Sequence, residues 1–198
     1  MTNAELLEPL ARARTDEIVV TAMSTVRPWG RLSDHDLDFA SADSAMGHTA
    51  DLALGLALAQ PGRKVICLNG DGSMMMTLGT LVTVIESGAR NLVLFVVDNG
   101  TYEITGNQKV PGAGVVDWVA IAEAAGFRRT YSFEDAAVYA VTLEEILDGE
   151  GPVFVQVKVE RGNARPISRS EIEEARYLKT SMADWSRSMR ATLTKENS

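Results

Sequence analysis

The feature that most constrains the fold is a pair of short apolar segments separated by a glycine-flanked aspartate and a helix-like stretch. Residues 65–68 and 92–97 are rich in branched apolar side chains, which is typical of strands buried on both faces of a sheet. Gly70-Asp71-Gly72 follows the first segment, and residues 74–86 are predicted to form a helix. A strand, a helix and a second parallel strand form one crossover unit, so the loops after both strands open at the same edge of the sheet.

Polar residues at that edge predict an ion site. Asp71 follows the first strand and Asn99 follows the second, while the turn at Gly100 can aim the carbonyl of Thr101 inward. A carboxylate, an amide oxygen and a backbone carbonyl suit Mg²⁺, and phosphate oxygens can complete its octahedron. The N-terminus of the following helix also favours a diphosphate. We therefore expect Asp71, Asn99 and Thr101 to hold magnesium; a tight turn without a ligand is the alternative interpretation.

Composition and charge fit a soluble globular domain and argue against several classes of function. The 198 residues carry 45% apolar side chains and a net charge of -8, which argues against nucleic acid and anionic membrane surfaces as partners. Cys67 is the only cysteine, so we expect a buried structural thiol and no internal disulfide or cysteine-ligated cluster. The first ten residues lack a signal-peptide pattern, and no apolar run approaches a membrane span, so we expect a cytoplasmic location.

The remaining periodicities predict an α/β fold with a doubly wound, mainly parallel sheet and helices on both faces. We assign residues 1–160 to this domain and residues 161–198 to a C-terminal tail, helical at 171–180 and 182–195, that packs on the domain or across an interface. Residues 23–34 and 102–115 are expected to be loops. Residues 41–44 are expected to form a turn in which Asp43 or Ser44 caps the next helix, and Ser132 is expected to cap the helix at 133–147. The other predicted helices are 4–14, 46–59, 116–126 and 133–147, and the other predicted strands are 17–22, 37–40, 127–131 and 152–159.

The predicted helix at 46–59 is apolar on nearly every side, which indicates burial on most of its surface. Two interpretations remain open from the sequence. Either another subunit covers part of this helix, or it is the central core helix of its own domain.

Five short motifs together resemble the diphosphate-binding half of thiamine-dependent 2-oxoacid decarboxylases. They are Met46-Gly47-His48, Gly70-Asp71-Gly72, Asp98-Asn99, Thr105-Gly106-Asn107-Gln108 and the strand that begins at Val153. The chain is similar to the β subunits of sulfopyruvate decarboxylases and to the C-terminal part of phosphonopyruvate decarboxylases over roughly residues 42–161. Where these decarboxylases tend to have Ser-Thr-Gly-Gly-Gln, residues 104–108 are Ile-Thr-Gly-Asn-Gln, and this departure leaves the substrate open.

This resemblance implies thiamine diphosphate and Mg²⁺ as cofactors and assigns roles to individual residues. Asp71, Asn99 and the carbonyl of Thr101 match the metal ligands of the family. Residues 102–108 match the loop beside the reacting thiazolium, so Thr105 and Gln108 are candidate substrate contacts. His48 is a further candidate for contact with substrate or cofactor, and a hydrogen bond at the helix terminus is its equal alternative. Residues matching the family's cofactor contacts are Ala45, Met46, Gly70, Gly72, Ser73, Asn99, Thr101 and Tyr102.

The resemblance also implies a partner subunit. In these enzymes a glutamate from a separate pyrimidine-binding domain activates the cofactor, which then serves as the electron sink for decarboxylation. No part of this chain is available to build that domain, so we expect an inactive single chain and a hetero-oligomer such as α2β2. For an anionic 2-oxoacid, candidate cations are Arg27, Lys109, Arg165 and Arg169, although surface or subunit contacts are the more ordinary roles.

Two other classes of function stay open. The chain could belong to another split thiamine enzyme, such as a carboligase, a transketolase half or an oxoacid oxidoreductase. It could also be a non-catalytic protein that has kept the thiamine fold.

Overall fold

A parallel sheet forms the centre of the structure, a computed structural model that describes residues 1–40, 46–163 and 175–195. In the described residues this sheet has six strands in the order β2-β1-β3-β4-β8-β7, and every neighbouring pair is parallel. A separate two-stranded antiparallel hairpin is formed by β5 and β6. The strands are β1 (Ile18–Thr21), β2 (Asp38–Ala40), β3 (Val65–Gly70), β4 (Leu92–Asp98), β5 (Thr101–Tyr102), β6 (Gln108–Lys109), β7 (Arg129–Phe133) and β8 (Val153–Lys158).

Helices cover both faces of the sheet. On one face, Leu6, Leu7 and Tyr139 bring α1 and α7 against the core, while Ala53 and Leu81 bring α3 and α5 against the other face. This arrangement confirms the predicted doubly wound α/β fold. The helices are α1 (Asn3–Ala13), α2 (Val26–Leu32), α3 (Thr49–Ala59), α4 (Asp71–Met76), α5 (Gly79–Glu86), α6 (Trp118–Ala125), α7 (Ala136–Asp148), α8 (Arg176–Lys179) and α9 (Met182–Lys195).

The strand β3 shows why its sequence has no polar alternation. Ile66 and Leu68 pack into the core on the side of α1 and α7, whereas Val65 and Cys67 pack into the core on the opposite side. Successive side chains of a strand point to opposite faces, so a central strand covered on both sides needs apolar residues at every position. Cys67 is completely buried, and this burial raises the pKa of its thiol. A structural thiol is the role that fits this position.

Both predicted loops contain regular structure, and residues 102–115 include most of the β5–β6 hairpin and a 3-10 helix at Glu103–Thr105. Residues 23–34 were expected to be a loop, but Met23–Thr25 is a 3-10 helix and Val26–Leu32 is α2. Pro28 is compatible with this helix because it lies in the first turn, where a backbone N–H has no intrahelical acceptor. Val26 and Trp29 are buried and supply the packing that the loop interpretation missed.

The single helix predicted for residues 74–86 is also wrong. The chain instead forms α4 and α5, separated at Thr77 and Leu78. The hydroxyl of Thr77 donates a hydrogen bond to the carbonyl of Gly47, which ties the break to the segment before α3. This contact joins positions that are 30 residues apart, so helical periodicity alone does not show it.

Smaller shifts affect other predicted elements. Helix α3 begins at Thr49 and not at Met46, and β7 lies two residues further along the chain than predicted. Helix α7 is capped by Asp135, whose carboxylate accepts hydrogen bonds from the N–H groups of Ala137 and Val138. The predicted cap at Ser132 is therefore wrong. The predicted turn and cap at residues 41–44 lie outside the described residues.

The described C-terminal helices pack onto the domain. Tyr177, Leu178, Trp185 and Met189 are buried in the same core as α3. The Tyr177 ring lies so close to Gly30 of α2 that a β-carbon there would be 2.2 Å from Cδ1. Part of the helix predicted at 171–180 lies outside the described residues. In the described part of the chain, no helix has both the length and the apolar character needed to cross a membrane.

Candidate functional site

A cavity of about 300 Å³ opens at the carboxyl ends of β3 and β4. This is the edge at which ligands bind in open α/β sheets. The lining of the cavity includes most of the predicted site residues together with several that were not predicted. Its lining residues are Met23, Ser24, Met46, Gly70, Asp71, Gly72, Ser73, Val97, Asn99, Thr101, Tyr102, Glu103, Ile104 and Thr105.

Asp71 occupies the first position of α4, directly after β3, and is 3% exposed. Its Oδ2 atom accepts a hydrogen bond of 2.9 Å from the backbone N–H of Gly100, which follows β4. Burial is the main cause that raises the pKa of Asp71 from 3.8 to about 7, and the nearby carboxylate of Asp98 adds to this effect. A carboxylate in such surroundings is ionised at neutral pH more readily when a cation lies beside it.

Asn99 is held on both ends of its side-chain amide. Its Nδ2 group donates a hydrogen bond of 2.8 Å to Oε2 of Glu103, and its Oδ1 atom accepts one of 2.9 Å from the backbone N–H of Thr101. Glu103 is 6% exposed and lies in the short 3-10 helix after β5. The hydroxyl of Thr101 also lies 3.4 Å from Oδ1, but it donates its proton at 2.9 Å to Oδ1 of Asn107. One of the two acceptor positions of the Asn99 oxygen is therefore left for a cation.

The β5–β6 hairpin sets the direction of the Thr101 backbone. The carbonyl of Gly100 accepts from the N–H of Val110, and the carbonyl of Tyr102 accepts from the N–H of Asn107, so both carbonyls point toward β6. Carbonyls alternate in direction along an extended strand, and the N–H and C=O of one residue point to the same side. The carbonyl of Thr101 therefore points away from β6, to the side where its N–H meets Asn99.

The glycine and serine after Asp71 pack closely against neighbouring loops. A β-carbon at Gly72 would lie 2.5 Å from Cε1 of Tyr102, so only glycine lets this ring close over the turn. Ser73 is buried, and its Oγ atom accepts a hydrogen bond of 2.8 Å from the backbone N–H of Gly47. This bond brings the segment around Met46 to the cavity.

Several predicted site residues lie away from the cavity. His48 is exposed, and its Nδ1 atom lies 2.8 Å from the carboxylate of Asp51. Gln108 is exposed and hydrogen-bonds with Thr105, which does line the cavity. Arg27 and Lys109 do not line it. The predicted residues Ala45, Arg165 and Arg169 lie outside the described residues.

The cavity residues that were not predicted from the sequence lie mainly in two segments, one after β1 and one after β5. Met23 and Ser24 follow β1, whose carboxyl end opens at the same edge of the sheet as those of β3 and β4. The parallel topology could have indicated them, had β1 been placed beside β3. Met23 has a positive φ of 53°, which is strained for a bulky side chain and is often found at functional sites. Glu103 had no local signal, because its partner Asn99 contacts it through the turn.

A comparison with protein families matches residues 33–157 to the C-terminal TPP-binding domain of thiamine pyrophosphate enzymes. The chain belongs to this family. Membership confirms the predicted resemblance and supports thiamine diphosphate as the cofactor of the domain.

Two relatives of the thiamine pyrophosphate family illustrate how the domain is used. The chain is 35% identical over 179 residues to the sulfopyruvate decarboxylase subunit beta of Methanothermobacter thermautotrophicus, covering 88% of this chain and 92% of that subunit. It is 33% identical over 156 residues to the phosphonopyruvate decarboxylase of Streptomyces hygroscopicus, covering 79% of this chain and 38% of that enzyme. The decarboxylases predicted from the sequence motifs are therefore confirmed as homologues.

A solved structure gives the same result for the fold. The thiamine diphosphate-dependent 4-hydroxybenzoylformate decarboxylase of Rhodococcus jostii RHA1 matches with a TM-score of 0.68 and 24% sequence identity. The match covers 83% of this chain and 33% of that chain. At 24% identity this similarity supports the fold alone, and no substrate is inferred from it.

Proposed function

We propose that this chain is the diphosphate-binding, β-type subunit of a heteromeric thiamine diphosphate-dependent enzyme that decarboxylates a small anionic 2-oxoacid. The observation that carries this proposal is the convergence of Asp71, Asn99 and Thr101 on one cavity at the carboxyl ends of β3 and β4. The similarity to a sulfopyruvate decarboxylase subunit beta, which extends over 88% of this chain and 92% of that subunit, supports both the type of reaction and the need for a second subunit.

The donor atoms of the site fit Mg²⁺. Asp71 supplies a buried carboxylate, Asn99 supplies an amide oxygen, and the carbonyl of Thr101 points to the same side as that oxygen. This set consists of hard oxygen donors and leaves other coordination positions for phosphate and water. In the described residues, no group of three His, Cys, Asp or Glu side chains forms a competing metal site.

The surrounding residues fit a diphosphate group. Gly70 has open space beside its α-carbon, where a phosphate could approach the backbone closely. The hydroxyl of Ser73 accepts from Gly47, so its own proton can be donated to a phosphate oxygen. Met46 and Tyr102 line the same cavity, which supports the proposal that they contact the cofactor.

When bound, thiamine diphosphate supplies the electron sink for loss of carbon dioxide from a 2-oxoacid. In our proposal this chain holds the metal and the diphosphate, orients the cofactor and shields the reacting end with the loop after β5. Glu103 is an acidic cavity residue, but it accepts a hydrogen bond from Asn99 and so serves the metal ligand. We therefore assign the activating glutamate to the partner subunit.

The part of the site that selects the substrate is only partly on the described chain. Thr105 lines the cavity and can hydrogen-bond a carboxylate or carbonyl group. The described lining contains no lysine or arginine. We propose that a cation for the second acidic group of the substrate comes from the partner subunit or from Arg165 or Arg169.

Calorimetric titration of thiamine diphosphate with Mg²⁺ tests the proposal. The full chain is titrated alone and with a co-expressed pyrimidine-domain subunit, and Asp71→Ala serves as the metal-site variant. We expect tight, Mg²⁺-dependent binding in the mixture, loss of binding with Asp71→Ala, and release of carbon dioxide from anionic 2-oxoacids only in the mixture. Decarboxylation at an ordinary enzymatic rate by the chain alone would contradict the two-subunit proposal, and a ketol product would indicate a carboligase.

A further inference from the structure

We propose that Glu103 is a positioning residue that fixes the side-chain amide of Asn99 with its oxygen toward the metal. This inference rests on the proposed metal site at Asp71 and Asn99. It concerns a residue that no sequence motif indicated, and it explains why a buried carboxylate lies four residues after a metal-binding asparagine.

The argument begins with the symmetry of an asparagine side chain. Its oxygen and its NH₂ group have nearly the same shape, so packing alone does not choose between two orientations that differ by a half-turn. Only one of them offers an oxygen to a cation. An asparagine that ligates a metal therefore needs hydrogen-bond partners that select the productive orientation.

Two partners make that selection for Asn99. The carboxylate of Glu103 accepts from Nδ2 at 2.8 Å, and the backbone N–H of Thr101 donates to Oδ1 at 2.9 Å. In the reversed orientation, Oδ1 would face a carboxylate and Nδ2 would face an N–H group. Both contacts would then be repulsive. The loss at the carboxylate is the larger of the two, because the hydrogen bond given up there is to a charged group, and such bonds are the stronger ones.

Glu103 itself is held in place by the segment after β8. A β-carbon at Gly162 would lie 2.3 Å from Oε1 of Glu103, so the carboxylate packs directly against this glycine. The carbonyl of Gly162 also accepts a hydrogen bond of 3.2 Å from Nδ2 of Asn107. Asn107 in turn accepts from the hydroxyl of Thr101 at 2.9 Å. The orienting carboxylate thus belongs to a packed network and has little freedom to move away from Asn99.

The decisive variant is Glu103→Gln, which keeps the shape and removes the charge. Glutamine can donate as well as accept, so it no longer rejects the reversed amide. We expect the affinity for thiamine diphosphate with Mg²⁺ to fall by about 10-fold to 100-fold, the range typical for residues that support a metal ligand. Glu144→Gln, an exposed change on the outer surface of α7, removes the same charge and should leave the affinity unchanged.

Combining Glu103→Gln with a second substitution, Asn99→Asp, distinguishes an effect on the orientation of the amide from a simple loss of negative charge. In Asn99→Asp the side chain has two equivalent oxygens and needs no orientation, and glutamine at position 103 can donate to it. Glu103→Gln should therefore cause no weakening of cofactor binding when it is combined with Asn99→Asp. An equal weakening with and without Asn99→Asp would show that Glu103 acts only through its charge. An unchanged affinity when Asn99 is retained would overturn the inference.

A measurement without cofactor keeps this test separate from the proposed function. In nuclear magnetic resonance spectra of the full chain, the side-chain NH₂ protons of Asn99 should exchange slowly with water and should exchange faster in Glu103→Gln. Rapid exchange in the unmodified chain would overturn the inference by itself. Slow exchange together with no binding of cofactor by the unmodified chain and its partner would instead count against the proposed function.

Discussion

The carboxylate of Asp71 accepts a hydrogen bond of 2.9 Å from the backbone N–H of Gly100, and this bond joins the loop after β3 to the loop after β4. Gly100 has a positive φ of 71°, which places its N–H and the following Thr101 at the base of the hairpin. The proposed metal ligand Asp71 therefore also fixes the backbone that presents the other two proposed ligands, Asn99 and Thr101. Loss of Asp71 should disturb the geometry of the whole site as well as remove one donor.

The pH dependence of stability should reveal the buried carboxylate of Asp71. Between about pH 4 and about pH 7 the folded residue keeps a proton that the unfolded residue has released, because its pKa is raised to about 7. Its contribution to the free energy of unfolding therefore falls as pH rises, by at most about 1.4 kcal/mol per pH unit. The asparagine in the variant Asp71→Asn has no proton to release, so the stability of that variant should not show this decrease with pH.

Urea denaturation without Mg²⁺ measures this effect at about pH 4.5 and at about pH 7.5. The stability of Asp71→Asn relative to the unmodified chain should increase from the lower to the higher pH. A difference that does not change with pH would contradict the prediction. In the mixture with the partner subunit, added Mg²⁺ and thiamine diphosphate should stabilise the unmodified chain and leave Asp71→Asn unaffected.

Gly72→Ala should destabilise the fold and weaken cofactor binding. Its β-carbon would lie 2.5 Å from the Tyr102 ring, so the ring has to move away from the turn. Overpacking of this kind costs about 1–3 kcal/mol. The matched control is Gly79→Ala, where nothing lies within 4 Å of the new β-carbon and the free energy of unfolding should stay the same or rise. Equal stability of the two variants would contradict the close packing of Tyr102.

Gly30→Ala should loosen the C-terminal helices from α2. The new β-carbon would lie 2.2 Å from Cδ1 of Tyr177, which is buried. Hydrogen exchange is the suitable measurement, because it reports on α8 and α9 separately from the central sheet. We expect faster exchange in both helices and little change in β3 and β4. Gly55→Ala in α3 has no atom within 4 Å of its β-carbon and should leave α8 and α9 protected.

Tyr139→Phe should keep or slightly raise the free energy of unfolding. In the described structure the hydroxyl of Tyr139 is buried without a hydrogen-bond partner, while its ring packs against Phe95 and Phe133. Removal of an unsatisfied buried hydroxyl recovers its desolvation cost, which is about 1–3 kcal/mol at most.

The comparison variant for this prediction is Tyr131→Phe. The Tyr131 hydroxyl donates to Glu145 at 2.7 Å and accepts from Arg129 at 3.1 Å. Its removal should lower the free energy of unfolding by up to about 1 kcal/mol. Thermal or urea denaturation that ranks the two variants in the opposite order would contradict the assigned partners.

The central strands and the meeting of Asp71 and Asn99 at one edge of the sheet could be predicted because their signals are local. Residues 65–68 and 92–97 are apolar at every position, and only burial on both faces of a sheet makes that pattern favourable. Parallel pairing of β3 and β4 then brings Asp71 and Asn99 to the same edge. The order of the other elements followed from periodicity, but α2 and the β5–β6 hairpin were predicted as loops, and the break between α4 and α5 was not predicted.

The features that could not be predicted depend on contacts between distant segments. Thr77 at the end of α4 donates to the carbonyl of Gly47, and a helix prediction made from residues 74–86 alone does not include that distant contact. Helix α2 contains both Pro28 and Gly30, which favour a loop locally, and it forms because Val26 and Trp29 are buried. Glu103 is polar and would ordinarily be exposed, but the turn after β5 folds it against Asn99.

Cys67 gives the sheet a built-in reporter of opening. Its thiol has no exposed surface and lies on the face of β3 that α3 and α5 cover, and burial raises its pKa. A thiol reagent in solution therefore reaches no reactive thiolate while these helices stay packed on the sheet. Because the sequence contains no other cysteine, each modified thiol reports one opening of this side of the core. The rate of labelling therefore measures how often this side of the core opens. A ligand bound at the Asp71 edge of the sheet should lower that rate without contacting the sulfur.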